Sequence, residues 1–263
     1  MLTYLAPRCT PGVEAVSGIT YSRTLQVGRS RGWFSVHART VELSPSLQDQ
    51  GDAVRERASR LLDAETDVRP INRALSADPL LAPLVQRHPG LRVAGAIDRF
   101  ELALRAVLGQ QVSVAAASTF SGRLAALLGD SIKDAPHGLS RLSATAVRVA
   151  DSRPSTIARI GLTRARAATA VALAKAVMGG LLADDSDPES QIAALKEVPG
   201  IGDWTASYIA LRALRWPDAF PHGDLGLRKA AGNLTARDLL AVAERWRPYR
   251  AYAAMHLWAS LHA

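Results

Sequence analysis

The feature that most constrains the fold is a change of period after residue 43. Over residues 18–27, Ile19, Tyr21, Leu25 and Val27 fall on one side and Thr20, Ser22, Thr24 and Gln26 on the other, the pattern of a half-buried strand. Residues 28–32 read as a turn and residues 33–43 as a second strand pairing with the first. From residue 52 the period becomes helical: Asp52 can cap a helix whose Val54, Ala58, Leu61 and Leu62 share one face. Pro79, Pro83 and Pro89 then break residues 70–90 into short helices and a link, which puts a domain boundary near residue 78.

Beyond the link the chain reads as helices almost without interruption. Asp98 and Glu101 have capping-box spacing ahead of an apolar face of Phe100, Leu104, Val107 and Leu108, and Gly109-Gln110-Gln111 interrupts that helix. Further helices are predicted over 113–128, closed by Gly129, and over 164–178, closed by Gly179 and Gly180. Arg164, Arg166 and Lys175 on the latter suit either phosphate contacts or a solvated face. The final helices begin near Thr235 and Pro248, and their Trp246 and Tyr252 read as core.

Chemistry concentrates in residues 195–229. Asp187 and Pro188 start a helix ending at Glu197, and Pro199 stops it. Gly200 and Gly202 permit a tight turn with exposed backbone N–H groups, and Asp203 is expected to cap a second helix bearing Trp204, Tyr208, Ile209 and Leu211. Such a turn can hold successive amides toward a phosphate, or it can be an ordinary helix–helix connection. Asp224 opens a short helix closed by Gly232, and on position alone it is a cap.

Composition sets outer limits. A chain of 263 residues that is 48% hydrophobic and 21% charged folds into globular units with a proper core, and its net charge of +8 favours a polyanionic partner. The single cysteine, Cys9, excludes an internal disulfide, a four-cysteine zinc site and an iron–sulfur cluster, and it fits a reducing cytoplasm. No stretch is long and apolar enough to cross a bilayer, so no membrane role is expected.

Motifs at residues 95–100 (GAIDRF), 109–114 (GQQVSV), 198–206 (VPGIGDWTA), 218–227 (DAFPHGDLGL), 244–252 (ERWRPYRAY) and 256–258 (HLW) resemble, in order, the helix–hairpin–helix DNA glycosylases of the AlkA type. The resemblance implies an α+β fold, with a small antiparallel sheet and helices in residues 1–78. A helical region over 79–263 follows, one subdomain formed by 99–216 and the other by 79–98 plus 217–263. It places the catalytic acid at Asp224 and the DNA-binding hairpin at Val198, Pro199, Gly200, Ile201, Gly202 and Thr205. Trp204, Tyr208 and Trp258 would form the base pocket, with Tyr4 a weaker member.

The expected partner is double-stranded DNA containing alkylated bases, bound by a monomer in the bacterial cytoplasm on the nucleoid. No cofactor is required, and the family's hairpin binds a monovalent or divalent cation through main-chain carbonyls, by position those of Lys196, Val198 and Ile201. Two departures stand out. Gln111 occupies the place of an apolar wedge that fills the hole left by a flipped base. The sequence also starts at Met1-Leu-Thr-Tyr4, after the family's first strand, so either the sheet lacks an edge strand or the start is late.

Absences narrow the class. In relatives that also cut the strand, a nucleophilic lysine stands where Trp204 stands here, so the chain is expected to be a monofunctional glycosylase for alkylated purines of the 3-methyladenine type. A base alkylated on a ring nitrogen is already cationic and leaves without a second carboxyl group as acid. The alternatives are a noncatalytic helix–hairpin–helix DNA binder and a glycosylase for oxidised or deaminated bases. AlkA domains can be fused to methyl-accepting regulators, but one cysteine leaves no such module within these 263 residues.

Overall fold

The computed structural model describes residues 1–38, 40–183 and 187–261. Its sheet is a four-stranded antiparallel meander, β1 (Glu14–Ser17), β2 (Thr20–Val27), β3 (Ser30–His37) and β4 (Thr40–Leu43), in that spatial order. The two expected strands are therefore four. The turn expected over 28–32 contracts to two residues, because Val27 pairs with Ser30 and Gly28 takes a left-handed φ of 59°. The expected second strand reverses at Ala38, itself at φ 53°, so that His37 pairs with Thr40. Ile19 belongs to the β1–β2 turn and is 63% exposed rather than facing the core.

The half-buried expectation for β2 also fails, since both faces are covered. Tyr21, Leu25 and Val27 pack with Phe34, Val36 and the helix Gly51–Leu62. On the opposite side Ser22 hydrogen-bonds Ser35, and the Thr24 hydroxyl donates to the carbonyl of Arg141. Arg23, 4% exposed, is satisfied by Glu14 at 3.2 Å and Glu101 at 2.7 Å. That second pair docks the sheet on the helix Arg99–Leu108. Glu101 thus serves Arg23, and the capping box is one-sided: Asp98 accepts from the Glu101 N–H without a return bond from Glu101 among the described residues.

The helical region closes over two apolar clusters. One joins the helices Arg99–Leu108, Val114–Leu128, Arg164–Met178 and Pro188–Glu197; the other joins Val68–Leu75, Ala82–Arg87, Ala236–Ala243 and Arg250–Ser260. The helix Asp203–Arg212 belongs to both, giving Ala206 and Ile209 to the first and Ala210 and Leu211 to the second. Two of its faces are buried, and on the third Trp204 and Tyr208 line a cleft, with buried Arg212 one turn further along at the same four-residue spacing.

Trp246 and Tyr252 are core, 1% and 6% exposed. Among the differences from sequence, Gln50 rather than Asp52 holds the N-cap position of Gly51–Leu62, and Asp52 pairs with Arg55 inside the first turn. Residues 91–96 have no regular secondary structure rather than being helical. Two short helices, Ala146–Ala150 and Pro154–Ala158, precede Arg164–Met178 without having been expected. No helix among the described residues is long and apolar enough to cross a membrane.

Candidate active site

Gly202, not Asp203, is the N-cap of Asp203–Arg212, and Asp203 instead reaches back 2.5 Å to Lys196 across the hairpin. Gly200 sits at φ +89°, and a Cβ there would fall 2.1 Å from the Thr169 hydroxyl, so no other residue fits. Gly202 is different: a Cβ would meet nothing within 4 Å, and the amide end of the helix opens to solvent. The hairpin therefore presents bare backbone beside a helix N-terminus, an anion-binding arrangement.

Gln110, which the sequence reading did not single out from its motif, braces this turn. Its side-chain amide donates to the Gly200 carbonyl at 2.8 Å and to the Thr205 hydroxyl at 3.1 Å. Arg166 in turn donates to the Gln110 carbonyl at 2.6 Å, so Arg166 is a strut rather than a free cation, while Arg164 and Lys175 are exposed. Gln111, the next residue, is exposed at φ 54° on the cleft rim. The left-handed φ at Gln111 thus lies beside a neighbour fixed to the hairpin.

The cleft, about 950 Å³, runs from the hairpin to Trp258 and includes Tyr4, Arg8, Arg105, Gln111, Trp204, Tyr208 and Asp224 in its lining. Asp224 is the N-cap of Leu225–Ala230 and accepts from the Leu227 N–H at 2.9 Å. The cap reading is correct but incomplete. One carboxylate oxygen also accepts from the Trp258 indole N–H and the other from the Trp204 indole N–H, each at 2.9 Å. Three N–H donors from three elements fix the carboxylate at the cleft.

Trp204 stacks on Tyr208 with ring centroids 5.3 Å apart and planes 9° from parallel, and Trp258 meets Tyr208 edge-on at 6.2 Å. Each aromatic expected to form a base pocket lines this cleft, Tyr4 included, but two ring faces are already occupied. Trp204 covers one face of Tyr208, and the Arg8 guanidinium lies 3.8 Å above Tyr4. Behind them Arg212, 4% exposed, donates to the Tyr4 and Tyr208 hydroxyls at 3.0 Å each and to the carbonyls of Ala94 and Gly95. Burial pushes the Tyr4 hydroxyl up to about 12. Burial also raises Tyr208, but Arg212 and then Arg8 outweigh it and bring that hydroxyl down to about 8. Arg212 escaped the sequence reading, although its i+8 spacing from Trp204 was a signal.

A glycine hairpin between two helices, followed by an acid clamped in an aromatic cleft, defines a helix–hairpin–helix glycosylase fold. Comparison with known proteins agrees. Residues 1–98 match the AlkA N-terminal domain. The chain is 34% identical to DNA-3-methyladenine glycosylase 2 of Escherichia coli, covering 98% of this chain and 92% of that one. It is 39% identical to the probable bifunctional transcriptional activator/DNA repair enzyme AlkA of Mycobacterium tuberculosis, over 98% of this chain. It spans about half, 53%, of that relative's length. A 3-methyladenine DNA glycosylase from Archaeoglobus fulgidus shares the fold with a TM-score of 0.85 at 22% identity, over 98% of this chain and 92% of that one. The chain belongs to the AlkA family of DNA glycosylases.

Proposed function

We propose that the protein is a monofunctional base-excision repair glycosylase that hydrolyses the N-glycosidic bond of alkylated purines of the 3-methyladenine type in double-stranded DNA, leaving an abasic site. The observation that carries this reading is the Asp224 carboxylate, held by Trp204, Trp258 and the Leu227 amide at the wall of an aromatic cleft. Bond cleavage builds positive charge on the sugar, and a fixed carboxylate beside C1′ stabilises that charge without having to reorganise. A noncatalytic DNA binder has no use for an acid so placed.

The remaining parts fit a sequence of grip, flip and cleavage. The open amides at Gly202 and the first turn of its helix take one backbone phosphate and read no bases. A target nucleotide swings into the cleft because C1′ is unreachable in the stack, at a cost of a few kcal/mol that stacking on an aromatic face returns in part. Gln111, at the rim, fills the space left behind. Cleavage then yields the free base, and among the described residues no lysine lines the cleft to form a Schiff base with the sugar.

A hard cation at the hairpin is compatible with the backbone there. Among the described residues no backbone N–H donates to the Lys196 or Ile201 carbonyls, whereas the Val198 carbonyl already accepts from Ile201. The cation would steady the turn and takes no part in the chemistry. The reading extends to a monomer acting on DNA in the cytoplasm, for which the charge of +8 is suited. The test is release of methylated purines from alkylated duplex DNA, with products examined before and after alkali. Release with strand breaks only after alkali is expected; no release would overturn the enzyme reading, and breaks before alkali would overturn its monofunctional part.

A further inference from the structure

The amide end of the hairpin carries an acid. Four successive N–H groups, those of Gly202, Asp203, Trp204 and Thr205, find no acceptor among the described residues, so the start of Asp203–Arg212 is an open region of partial positive charge. Asp203 stands in that first turn with its side chain 69% exposed. A chain of net charge +8 thus sets a negative charge at the mouth of a turn suited to a phosphate.

Capping does not explain the acid, because Gly202 holds the N-cap position and the four amides stay unbonded. Nor does the ion pair with Lys196, at 2.5 Å, since a pair this exposed adds little to folding. The helix dipole does favour an acid in this turn, but the same dipole attracts phosphate, so carboxylate and DNA compete for it. The pair also occupies Lys196. That lysine stands in the last turn of Pro188–Glu197, the other arm of the hairpin, and without Asp203 its ammonium would be free beside the amides. The hydrogen bond and charge of Lys196 hold the Asp203 carboxyl below the usual carboxylate range, and the charge of His222 adds to them. Asp203 is therefore ionised at neutral pH and repels an incoming phosphate.

We propose that Asp203 withholds Lys196 and part of the helix-end field from DNA, so that the hairpin's hold on the backbone is set weak and Lys196 is a phosphate ligand in reserve; the inference rests on the reading of the hairpin as a DNA grip. The weak hold has a use. A turn that reads no bases touches intact duplex, lesion and abasic product alike, so a tighter one would slow departure from all three without improving the choice between them. Discrimination is left to the cleft, and the acid keeps the grip from competing with it.

The experiment measures the affinity of wild type, Asp203→Asn and the double variant Asp203→Asn/Lys196→Ala for an intact duplex and for an abasic-site duplex, each over a series of salt concentrations. Circular dichroism confirms that the variants are folded. Asp203→Asn should tighten both complexes about fivefold to tenfold at about 0.1 M salt and steepen the fall of log affinity with log salt by about 0.9, the signature of one more phosphate contact. The double variant should lose the added slope and most of the tightening. An Asp203→Asn variant with unchanged affinity and slope overturns the proposal and leaves the acid serving its helix alone. Tightening that survives in full in the double variant overturns the role given to Lys196. A wild type with no affinity for either duplex overturns the reading of the hairpin as a grip, and this inference with it.

Discussion

The hairpin and the aromatic cleft meet at one helix, Asp203–Arg212, which the hairpin precedes and whose Trp204 and Tyr208 line the cleft, and the two are built from different materials. The hairpin is backbone: Gly200 and Gly202 have no side chains, and Gln110 ties the turn from outside. The pocket is side chain: Trp204, Tyr208 and Arg212 are each bonded to a partner distant in sequence. Backbone amides hold any phosphate equally, whereas an interlocked set of side chains discriminates between bases. On the proposed function, one helix thereby couples a grip indifferent to sequence to a cleft selective for chemistry.

That contrast can be broken in a definite order. Asp224→Asn should lower base release by about a hundredfold to a thousandfold, as loss of a preorganised charge partner does, while abasic-duplex affinity stays near wild type. Gly200→Ala strikes the other end. The positive φ and the Thr169 contact should together cost about 2–3 kcal/mol, read as a lowered thermal midpoint.

A third test concerns the helix that carries Trp258. Burial, then the neighbouring His88, pushes His256 down from its ordinary 6.5 to about 4. The folded state therefore holds fewer protons than the unfolded chain between those values, and stability falls as pH drops through that window. Between pH 7 and pH 5 the loss from this residue should be about 2 kcal/mol, and His256→Gln should flatten the dependence. Smallest is Gln110→Ala, which removes two hydrogen bonds at the hairpin and should weaken abasic-duplex binding by about 1 kcal/mol.

Local signals in the chain were legible where one residue type has one use. Pro188 and Asp187 start a helix, Gly200 permits a turn, and Asp224 caps Leu225–Ala230, and the structure has each. The sheet was less legible because β1 and β4 are four residues each, too short for alternation to register. Arg23 sits in the middle of β2, and nothing local announces that Glu14 and Glu101 will bury it. In the site, the acid and the aromatics could be placed from their motifs. Their mutual bonds could not, since Trp204 and Trp258 reach Asp224 from 20 and 34 residues away and Tyr4 reaches Tyr208 across 204. Arg212 shows the limit most clearly: in sequence it ends a helix, and in three dimensions it sets two tyrosines.

The division between grip and chemistry is tested most directly by measuring, side by side, the abasic-duplex dissociation constant and the saturated single-turnover release rate for Gly202→Ala and Trp204→Phe. A methyl at the open Gly202 should weaken binding about tenfold by obstructing the phosphate and leave the saturated rate near wild type. Loss of the indole N–H that holds Asp224 should lower the rate about tenfold or more and leave binding near wild type. If both variants lose binding and rate in the same proportion, the helix does not separate the two tasks and the account is wrong.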